Sequence, residues 1–469
     1  MRIYNTLSRS IEEFKPLNPP NVSLYTCGPT VYDYSHIGHM RAYVVNDILR
    51  RTLTYLNFKV NHVMNITDVG HLTGDDDTGE DKLEKGAKKS KKTVWDVVKF
   101  YTDHFFLTMD SLNILRANTI CPATAHIPEM IAMITKLLEK NYAYETDEAI
   151  YFNVLKFKNY GKLSGQSLKE KLKGVREDLY IDPKKRNEAD FSLWFKRIGR
   201  FADHTMFWNS PWGDGFPGWH IECSAMASKY LGETIDIHTG GIDHIPVHHE
   251  NEIAQSEGAN GKPFVKYWLH YNFLMVDHKK MSKSLGNFYT IEDITKRNFD
   301  PLAIRYLFLQ THYRQQMNFT WESATGAAEG LTKLKNIIKN LNNNQNNNKQ
   351  TDQKLFDTYK KEFTQAIGND LQTSQALAVL WQVLRSSLSS QEKLNLVLDF
   401  DQVLGLKLNE ETKNLIPAEI INLAKKRLEF RKAKDFTSAD VLRKQIKQKG
   451  YLVEDKLING ILYFTIQEI

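Results

Sequence analysis

The chain has 469 residues, a formal net charge of +6, 41% hydrophobic residues and 25% charged residues. This length exceeds what one hydrophobic core usually organises, so we expect two to four domains of a globular protein. Three cysteines are too few for a disulfide framework and indicate a reducing compartment. We find no apolar signal core at the N-terminus and no apolar run of about 18 residues. We therefore expect a cytoplasmic protein without membrane contact.

The first third of the chain alternates strand and helix patterns. Residues 22–26 and 58–67 are apolar strands, and residues 43–56 have helical spacing between them. A strand, a helix and a second strand in this order are typical of a parallel α/β sheet. The segment 68–93 is first acidic and then lysine-rich, with glycines before the lysines. We expect a surface loop that leads into a helix.

Residues 116–203 differ in pattern and are predicted to be an insertion between two halves of the sheet, 1–115 and 204–300. They contain an amphipathic helix at 127–142 and a short strand at 148–154. The sheet is expected to resume with the strand 233–241, which ends in a double glycine, and to continue with a strand pair at 264–276.

The remainder is predicted to be mostly helical. Residues 301–419 have the periodicity of a helical bundle, interrupted by the asparagine-rich loop 340–353. Residues 420–469 are predicted to form two basic helices and a small strand pair. From residue 420 onward there are eleven lysines and arginines against six acidic residues, an excess of five. This excess is consistent either with a solvated lysine-rich helix or with a nucleic-acid contact surface.

The first motif with recognisable chemistry is His36-Ile37-Gly38-His39, at the start of a helix that follows the first strand. Histidines three residues apart on a helix share one face. Gly38 lets a ligand approach the backbone, and the N-terminal end of a helix favours an anion. The motif is compatible with a phosphate site; the alternative is a pair of surface histidines near a turn.

A second motif lies far downstream in the segment HKKMSKSLGN, in which Lys280 and Lys283 flank a Met-Ser pair. Lysines on a loop of small residues form a mobile cationic clamp for a polyphosphate. The alternative is an ordinary lysine-rich surface turn.

A third group suggests a metal site. Cys27, Cys223, His248 and Glu252 supply the donor set of a tetrahedral zinc ion. His248 and Glu252 are four residues apart and share one helix face. Spacing alone leaves His249 as an alternative to His248 and Glu250 as an alternative to Glu252, and each cysteine could simply be a small buried residue.

The first two motifs together resemble those of class I aminoacyl-tRNA synthetases. The segments YTCGPTVYDYSHIGHMR, PGWHIECSAM, HHENEIAQSE, KMSKSLGN and RKAKDFTSAD further resemble the cysteinyl-tRNA synthetase family, nearly from end to end. The resemblance implies a Rossmann-like α/β catalytic domain with an insertion, a C-terminal helical bundle and a small α+β anticodon-binding tail at 420–469. It also implies a monomer whose substrates are L-cysteine, ATP with Mg²⁺, and tRNA(Cys), with one zinc ion per chain.

The resemblance also implies residue roles. Residues that would bind ATP and stabilise the α-phosphate in the transition state are His36, His39, Lys280 and Lys283. Further ATP-binding positions would be Gly38, Gly240, Gly241 and Asp243. Thr67 and Trp219 would line the cysteine pocket, and Cys27, Cys223, His248 and Glu252 would hold the zinc. Because zinc binds a thiolate far better than a hydroxyl, no editing site would be needed to reject serine.

Two segments depart from the family pattern. Residues 243–247 read Asp-His-Ile-Pro-Val before the two histidines, which makes His244 an unusual neighbour of the zinc set. The turn that follows Thr67 carries an acidic, glycine-containing insertion near the amino-acid pocket. Two other functions share parts of this pattern: a ligase that joins cysteine to a small amino sugar, and a non-catalytic RNA-binding relative. The basic C-terminal segment argues against the first, and the complete set of motif residues argues against the second.

Overall fold

The computed structural model describes residues 1–70, 72, 81–166, 182–343, 352–410, 418–433, 435–458 and 461–468. The strands in these ranges are β1 (Arg2–Asn5), β2 (Ser10–Glu13), β3 (Asn21–Thr26), β4 (Lys59–Ile66), β5 (Thr119–Pro122), β6 (Ala143–Glu145), β7 (Ala149–Phe152), β8 (Phe191–Lys196), β9 (Gly215–Pro217), β10 (Ile235–Gly241), β11 (Val265–Tyr271), β12 (Leu274–Val276), β13 (Lys279–Lys280), β14 (Met317–Phe319), β15 (Tyr451–Ile458) and β16 (Ile461–Glu468). The helices are α1 (Ile37–Tyr55), α2 (Lys82–Ser90), α3 (Val94–Ser111), α4 (Ile127–Glu139), α5 (Trp219–Leu231), α6 (Glu250–Asn260), α7 (Ile291–Lys296), α8 (Pro301–Leu309), α9 (Trp321–Asn343), α10 (Gln353–Gly368), α11 (Thr373–Arg385), α12 (Ser390–Leu404), α13 (Ala418–Lys432) and α14 (Phe436–Gln448).

A five-stranded parallel sheet lies at the centre of the first 300 residues, in the order β11-β10-β3-β4-β5. Every residue of β10 is buried, as is usual for a central strand of a parallel sheet. From β3 the chain adds strands outward on one side and, after the insertion, on the other. The carboxyl ends of β3 and β10 therefore flank a topological switch point, which is where open α/β sheets bind ligands.

The segment between β4 and β5 contains a helix that the sequence analysis placed in a surface loop. α2 begins after Asp81, whose carboxylate accepts hydrogen bonds from the N–H groups of Leu83 and Glu84. Leu83 and Ala87, one turn apart, are buried against α3. The charged residues Glu84 and Lys85 between these two positions concealed the helical period in the sequence. The rest of the predicted loop, residues 71 and 73–80, lies outside the described residues.

The predicted insertion contains α4 and an antiparallel sheet in the order β6-β7-β8-β9. The boundaries 116–203 stay a prediction. The fifth strand of the parallel sheet lies at Thr119–Pro122, and the last strand of the antiparallel sheet lies at Gly215–Pro217.

Beyond residue 300 the chain is mainly helical, as predicted. Two strands occupy 264–276 as predicted, but they do not pair with each other, because β11 joins the parallel sheet whereas β12 joins a three-stranded sheet in the order β13-β12-β14. β14 is a strand within the region predicted to be helical, and it pairs in parallel with β12. The asparagine-rich segment falls between α9 and α10, and its residues 344–351 lie outside the described part of the chain.

The C-terminal tail has the predicted two helices, α13 and α14, and the antiparallel strand pair β15–β16. The predicted fold class, a Rossmann-like parallel sheet with an insertion, a helical C-terminal region and a small α+β tail, is confirmed. Among the described helices, none has the length and apolar character needed to cross a membrane.

The largest hydrophobic core joins the parallel sheet to the helical bundle, since α1, α8, α9 and α12 all contribute to it. Arg305 of α8 is fully buried at this junction. Its guanidinium donates to the carbonyls of Leu112 and Leu404, at 3.0 and 2.7 Å, and to the carboxylate of Asp47 on α1, at 2.5 Å. These hydrogen bonds fix α1, which packs on the parallel sheet and carries part of the site described below, to the helical bundle.

Candidate active site

The motif after β3 places two imidazoles at the start of α1. His36 is the N-cap, and its Nδ1 accepts hydrogen bonds from the N–H groups of Gly38 and His39, at 3.1 and 3.2 Å. The expectation that both histidines lie on the helix is therefore wrong for His36, and these two N–H groups are occupied by its ring. The rings of His36 and His39 still stack, with centroids 3.6 Å apart.

Desolvation beside the protein favours the neutral form of both imidazoles, although His39 is exposed on one side. It lowers the pKa of His36 to about 2, with a further contribution from His39. It lowers the pKa of His39 to about 4, although Asp243 and Asp33 act in the opposite direction. A neutral imidazole offers a hydrogen bond without a fixed charge. Positive charge for a polyphosphate must therefore come from other side chains.

The lysine motif lies directly against the histidine motif. A Cβ atom added to Gly38 would approach the Met281 methyl to 2.5 Å, and the N–H of Ile37 donates to the carbonyl of Tyr289 at 2.9 Å. Phe288 makes an edge contact with His36, at 5.0 Å between centroids. Segments about 240 positions apart in the sequence are thus brought together.

The two motif lysines have different surroundings. Lys280 belongs to β13 and is exposed. Lys283 forms an ion pair with Asp33, and its ammonium lies 5.2 Å from the centre of the Phe288 ring. The ion pair joins the lysine loop to the loop that leads from β3 to α1. Both loops border the crevice at the carboxyl ends of β3 and β10.

The end of β10 forms the opposite wall of the crevice. A Cβ atom on Gly240 would lie 2.4 Å from His249 and 2.8 Å from His244, so no side chain fits there. A Cβ atom on Gly241 would lie 2.2 Å from the Asp243 carboxylate. These distances give a physical reason for the double glycine, because neighbouring side chains already fill the space that a Cβ atom would need at each position.

The predicted metal ligands converge below this wall. The donor atoms of Cys27, Cys223, His248 and Glu252 all lie within 4.8 Å of one another, and all four residues are buried. Cys27 follows β3 directly, Cys223 lies on α5 and Glu252 on α6. His248 lies in the π-helical turn Ile245–His249 that precedes α6.

The structure distinguishes Glu250 from Glu252 and His249 from His248, which spacing alone left as alternative ligands. Glu250 points away, because its carboxylate accepts from the N–H groups of Gly161 and Ser164, at 2.8 and 2.9 Å. His249 belongs to a second, overlapping donor group, which consists of Cys27, His238, His249 and Glu252. The two groups share Cys27 and Glu252, so a single ion with one bond to each ligand would occupy one group or the other. Only the first group contains two thiols, which zinc favours.

The first group also fits zinc in its details. Glu252 Oε1 lies 3.0 Å from His248 Nε2, but no hydrogen bond of acceptable angle satisfies it among the described residues. Tetrahedral bonds of about 2.0–2.3 Å would place neighbouring donor atoms roughly 3.3–3.8 Å apart, so small side-chain shifts would complete the site. An orphaned buried oxygen beside two thiols and an imidazole is what a bound cation would satisfy.

Burial and mutual electrostatic interactions shift the pKa values of the four residues. Burial raises the pKa of the Cys27 thiol and raises that of Cys223 far above its ordinary range. Burial would lower the pKa of His248, but Glu252 and Cys223 outweigh it and raise this pKa to about 10. Burial would likewise raise the pKa of Glu252, but His238 and His248 lower it to about 2. The charges within the cluster thus favour the ionised form of Glu252, whereas burial favours the neutral form of both thiols.

A surrounding layer of imidazoles orients the ligands, and the sequence analysis did not identify it. His220 Nδ1 lies 2.8 Å from His248 Nδ1, and His238 Nε2 lies 2.9 Å from Glu252 Oε2. Ligating histidines commonly use their second nitrogen in this way. Trp219 stacks on His248, with centroids 4.2 Å apart, so it forms a wall over the cluster; its place in a cysteine pocket stays a prediction.

Thr67 lies on the floor of the same region. Its hydroxyl donates to Glu222 Oε2 at 2.8 Å and accepts from the side-chain amide of Asn65 at 3.1 Å. Glu222 is fully buried, and burial raises its pKa well above the usual range. The sequence analysis did not identify Glu222, although its position between Trp219 and Cys223 could have indicated that it lies in the site.

Comparison with known proteins identifies the family. Residues 13–329 match the model of the tRNA synthetases class I (C) catalytic domain. The cysteine–tRNA ligase of Treponema denticola is 41% identical over 97% of this chain and 98% of its own length. Cysteine–tRNA ligase 1 of Burkholderia lata is 42% identical over 97% and 95%, and that of Chlamydia pneumoniae is 43% identical over 96% of each chain.

Among solved structures, Mycobacterium tuberculosis methionyl-tRNA synthetase in complex with methionyl-adenylate superposes with a TM-score of 0.57. It is 14% identical in sequence, and the match covers 82% of this chain and 90% of that one. At this identity the likeness concerns the fold alone, and it agrees with the parallel sheet and helical region described above. The sequence relatives are decisive: the chain belongs to the cysteine–tRNA ligase family of class I aminoacyl-tRNA synthetases.

Proposed function

We propose that the chain activates L-cysteine with ATP and transfers it to the 3′-terminal adenosine of tRNA(Cys). The observation that carries this proposal is the meeting of the phosphate-type motifs and the sulfur-containing cluster in one crevice. Asp243, at the end of β10, acts electrostatically both on His39 and on Cys27. An amino acid held at the cluster would therefore present its carboxylate to a nucleotide held by the histidines.

In the first step, the carboxylate oxygen of cysteine attacks the α-phosphorus of ATP, and the bond to the β-phosphate oxygen breaks. The carboxylate is already ionised, so no general base is required. His36 and His39 donate hydrogen bonds to phosphate oxygens, and Lys280 and Lys283 neutralise charge as the magnesium-bound pyrophosphate leaves. Positioning and charge stabilisation supply the rate enhancement. Gly38, Gly240 and Gly241 let the nucleotide lie against the backbone, and Asp243 binds its ribose.

In the second step, a ribose hydroxyl of the tRNA attacks the carbonyl carbon of cysteinyl-adenylate, and AMP leaves. The basic tail supports tRNA as the acceptor. Arg427 is buried and forms paired hydrogen bonds with Asp455, at 2.7 and 2.9 Å, so it stabilises the tail itself. Among the described residues of the tail, the exposed cations are Lys425, Lys426, Lys432, Arg443, Lys444, Lys447 and Lys449. We assign them to contacts with the anticodon arm.

Selection of cysteine is assigned to the four buried ligands. Cys27, Cys223, His248 and Glu252 would hold one zinc ion, which supplies affinity for the substrate thiolate and little for a serine hydroxyl. Trp219 and Thr67 shape the pocket around the side chain, and His220 and His238 hold two of the ligands in place. A hydrophobic pocket that relied on size alone would separate near-isosteres by only about 1–3 kcal/mol.

The test is ATP–pyrophosphate exchange with cysteine and with serine, before and after removal of zinc by a chelator. We expect exchange with cysteine only, lost on chelation and restored by added zinc. Formation of cysteinyl-tRNA in a separate assay then distinguishes a synthetase from a ligase that acts on a small molecule. Absence of exchange with every amino acid, in a protein that still binds tRNA, would refute the enzymatic proposal and favour an RNA-binding role.

A further inference from the structure

The lysine run after the acidic insertion has no part in the chemistry described so far. Residues 82–92 contain six lysines and one glutamate. Lys88 and Lys89 lie in the last turn of α2, and Lys91 and Lys92 lie in the short connection to α3. All four are exposed. The connection therefore carries a compact positive charge.

Large apolar side chains lie exposed next to these lysines. On α3, Trp95 is 53% exposed and Phe100 is 44% exposed. Lys92 lies over the Phe100 ring, with its ammonium 5.4 Å from the centroid. We call Lys88, Lys89, Lys91, Lys92, Trp95 and Phe100 the lysine–aromatic surface. Exposed aromatic side chains grouped with cations indicate an interaction site rather than ordinary surface.

The base of this surface is firmly packed. Leu83, Ala87, Val94 and Val97 form a small buried cluster with Met206, from the segment that precedes β9. Thr93 caps α3 with a reciprocal capping box to Asp96. The exposed rings are thus carried by a fixed pair of helices, not by a loose loop.

The lysine–aromatic surface adjoins the mouth of the crevice. The ring of Tyr34, two residues before His36, lies 6.1 Å from that of Phe100 and 4.7 Å from that of His104, measured between centroids. His104 in turn contacts Glu292 of α7 at 2.6 Å. A chain lying on α3 would therefore pass directly into the site where the nucleotide phosphates are expected.

We propose that the lysine–aromatic surface binds the single-stranded 3′ end of the tRNA acceptor arm and guides it into the crevice. This inference rests on the function proposed above. Lysines match the phosphates of a nucleic acid, and exposed aromatic rings stack on unpaired bases, whatever their sequence. A duplex alone would satisfy the lysines but leave the rings without a partner. An apolar protein partner would satisfy the rings but leave four lysines facing it.

The test measures RNA binding directly, so it does not depend on catalysis. The probes are a fluorescent acceptor-arm hairpin of tRNA(Cys) with its unpaired 3′ tail and the same hairpin without the tail. Two variants are compared with wild type: Trp95→Ala, and the fourfold change Lys88→Gln, Lys89→Gln, Lys91→Gln, Lys92→Gln. The control is the double change Lys354→Gln and Lys361→Gln, at two exposed lysines of α10. α10 lies away from the histidine motif, since its last residue, Gly368, lies beside Leu56, just beyond the opposite end of α1.

We expect Trp95→Ala to weaken binding of the tailed hairpin about 5- to 100-fold, the effect of losing one stacked base, and to leave the tailless hairpin unchanged. The fourfold variant should reduce the slope of log affinity against log salt by about 0.7 for each phosphate that it no longer neutralises. The control should bind both hairpins like wild type. Cysteine-dependent pyrophosphate exchange should stay within about twofold in all variants, because amino-acid activation does not use tRNA.

Wild-type binding of both hairpins by both variants would overturn the proposal. Equal losses for the tailed and tailless hairpins in Trp95→Ala would also overturn it, because the ring would then not read the single strand. Vesicles of phosphatidylcholine with one-quarter phosphatidylserine serve as a further probe. Loss of vesicle binding in the fourfold variant, with RNA binding intact, would assign the surface to a membrane instead. If exchange is absent in wild type while the tail dependence is present, the proposed activation fails and the RNA surface stands.

Discussion

Replacing Cys223 by serine should release zinc while the fold persists. The four ligands are at most 6% exposed and their donor atoms are already within 4.8 Å of one another, so little of the binding free energy is spent on assembling the site. Structural zinc sites bind with about 10–16 kcal/mol, which divides into roughly 2.5–4 kcal/mol for each of four ligands. Cys223→Ser should therefore weaken zinc binding about 10²- to 10³-fold, since each ~1.4 kcal/mol is a factor of ten.

The measurement is zinc content per chain after dialysis against a graded series of chelator concentrations. Cys121→Ser is the matched control. Cys121 is also fully buried, but its thiol donates to the carbonyl of Met64 at 3.4 Å and belongs to neither donor group. The control should retain zinc like wild type, whereas Cys223→Ser should lose it at the lowest effective chelator concentrations.

One pair of results would refute the ligand assignment. If Cys223→Ser retains zinc with wild-type affinity and His249→Gln loses it, the ion belongs to the overlapping group that contains His238. The proposed reason for preferring two thiols over one would then be wrong, although Cys27 and Glu252 would remain ligands.

The remaining predictions concern orientation, charge and packing. His220→Asn should weaken zinc binding about 10- to 100-fold in the same dialysis series, because it holds the second nitrogen of a ligand. Lys283→Ala should lower cysteine-dependent exchange about 10²- to 10³-fold with zinc content unchanged, by analogy with the loss of one transition-state donor. Arg305→Met should lower the free energy of unfolding in urea by about 3–5 kcal/mol, because it leaves a buried carboxylate undercompensated. Gly405→Ala should lower the free energy of unfolding by about 1–3 kcal/mol in the same assay, because residue 405 has φ of +65° and its Cβ would lie 2.6 Å from the Arg305 guanidinium. Gly326→Ala, on an open face of α9, is the control and should leave the free energy of unfolding unchanged.

Short sequence motifs were enough to predict which residues belong to the candidate site. The histidine and lysine motifs, the double glycine and the four expected ligand positions are each recognisable because their chemistry depends on residue type. That these motifs lie close together in the folded chain could not be predicted from the motifs themselves. Nothing within the string around Gly38 indicates that Met281 will lie against it, and the proximity follows only from the pairing of β12, β13 and β14 beside the crevice.

The misses have a common physical cause, which is that neighbouring polar residues carry ambiguous local signals. His36 and His39 have helical spacing, but the first caps the helix with its own ring instead of lying on it. His248 and His249 are adjacent and both buried, and only the π-helical turn decides which donor group each one joins. Glu250 and Glu252 have equally plausible spacing, and a loop beyond the helix, through Gly161, determines the direction of the first.

The order of the strands explains why the proposed cysteine pocket and the proposed nucleotide site lie next to each other in this fold. β3 and β10 run in parallel register, with Thr26 opposite Thr239, so the residues that follow them open into the same crevice. Cys27 stays in that register, since its N–H donates to the Thr239 carbonyl at 3.4 Å. At the next position a Cβ atom would lie 1.6 Å from the Asn65 carbonyl, so only Gly28 lets the chain pass β4. The same close passage leads the chain towards His36, so one tight turn positions the proposed metal ligand Cys27 and the histidines proposed to bind phosphate.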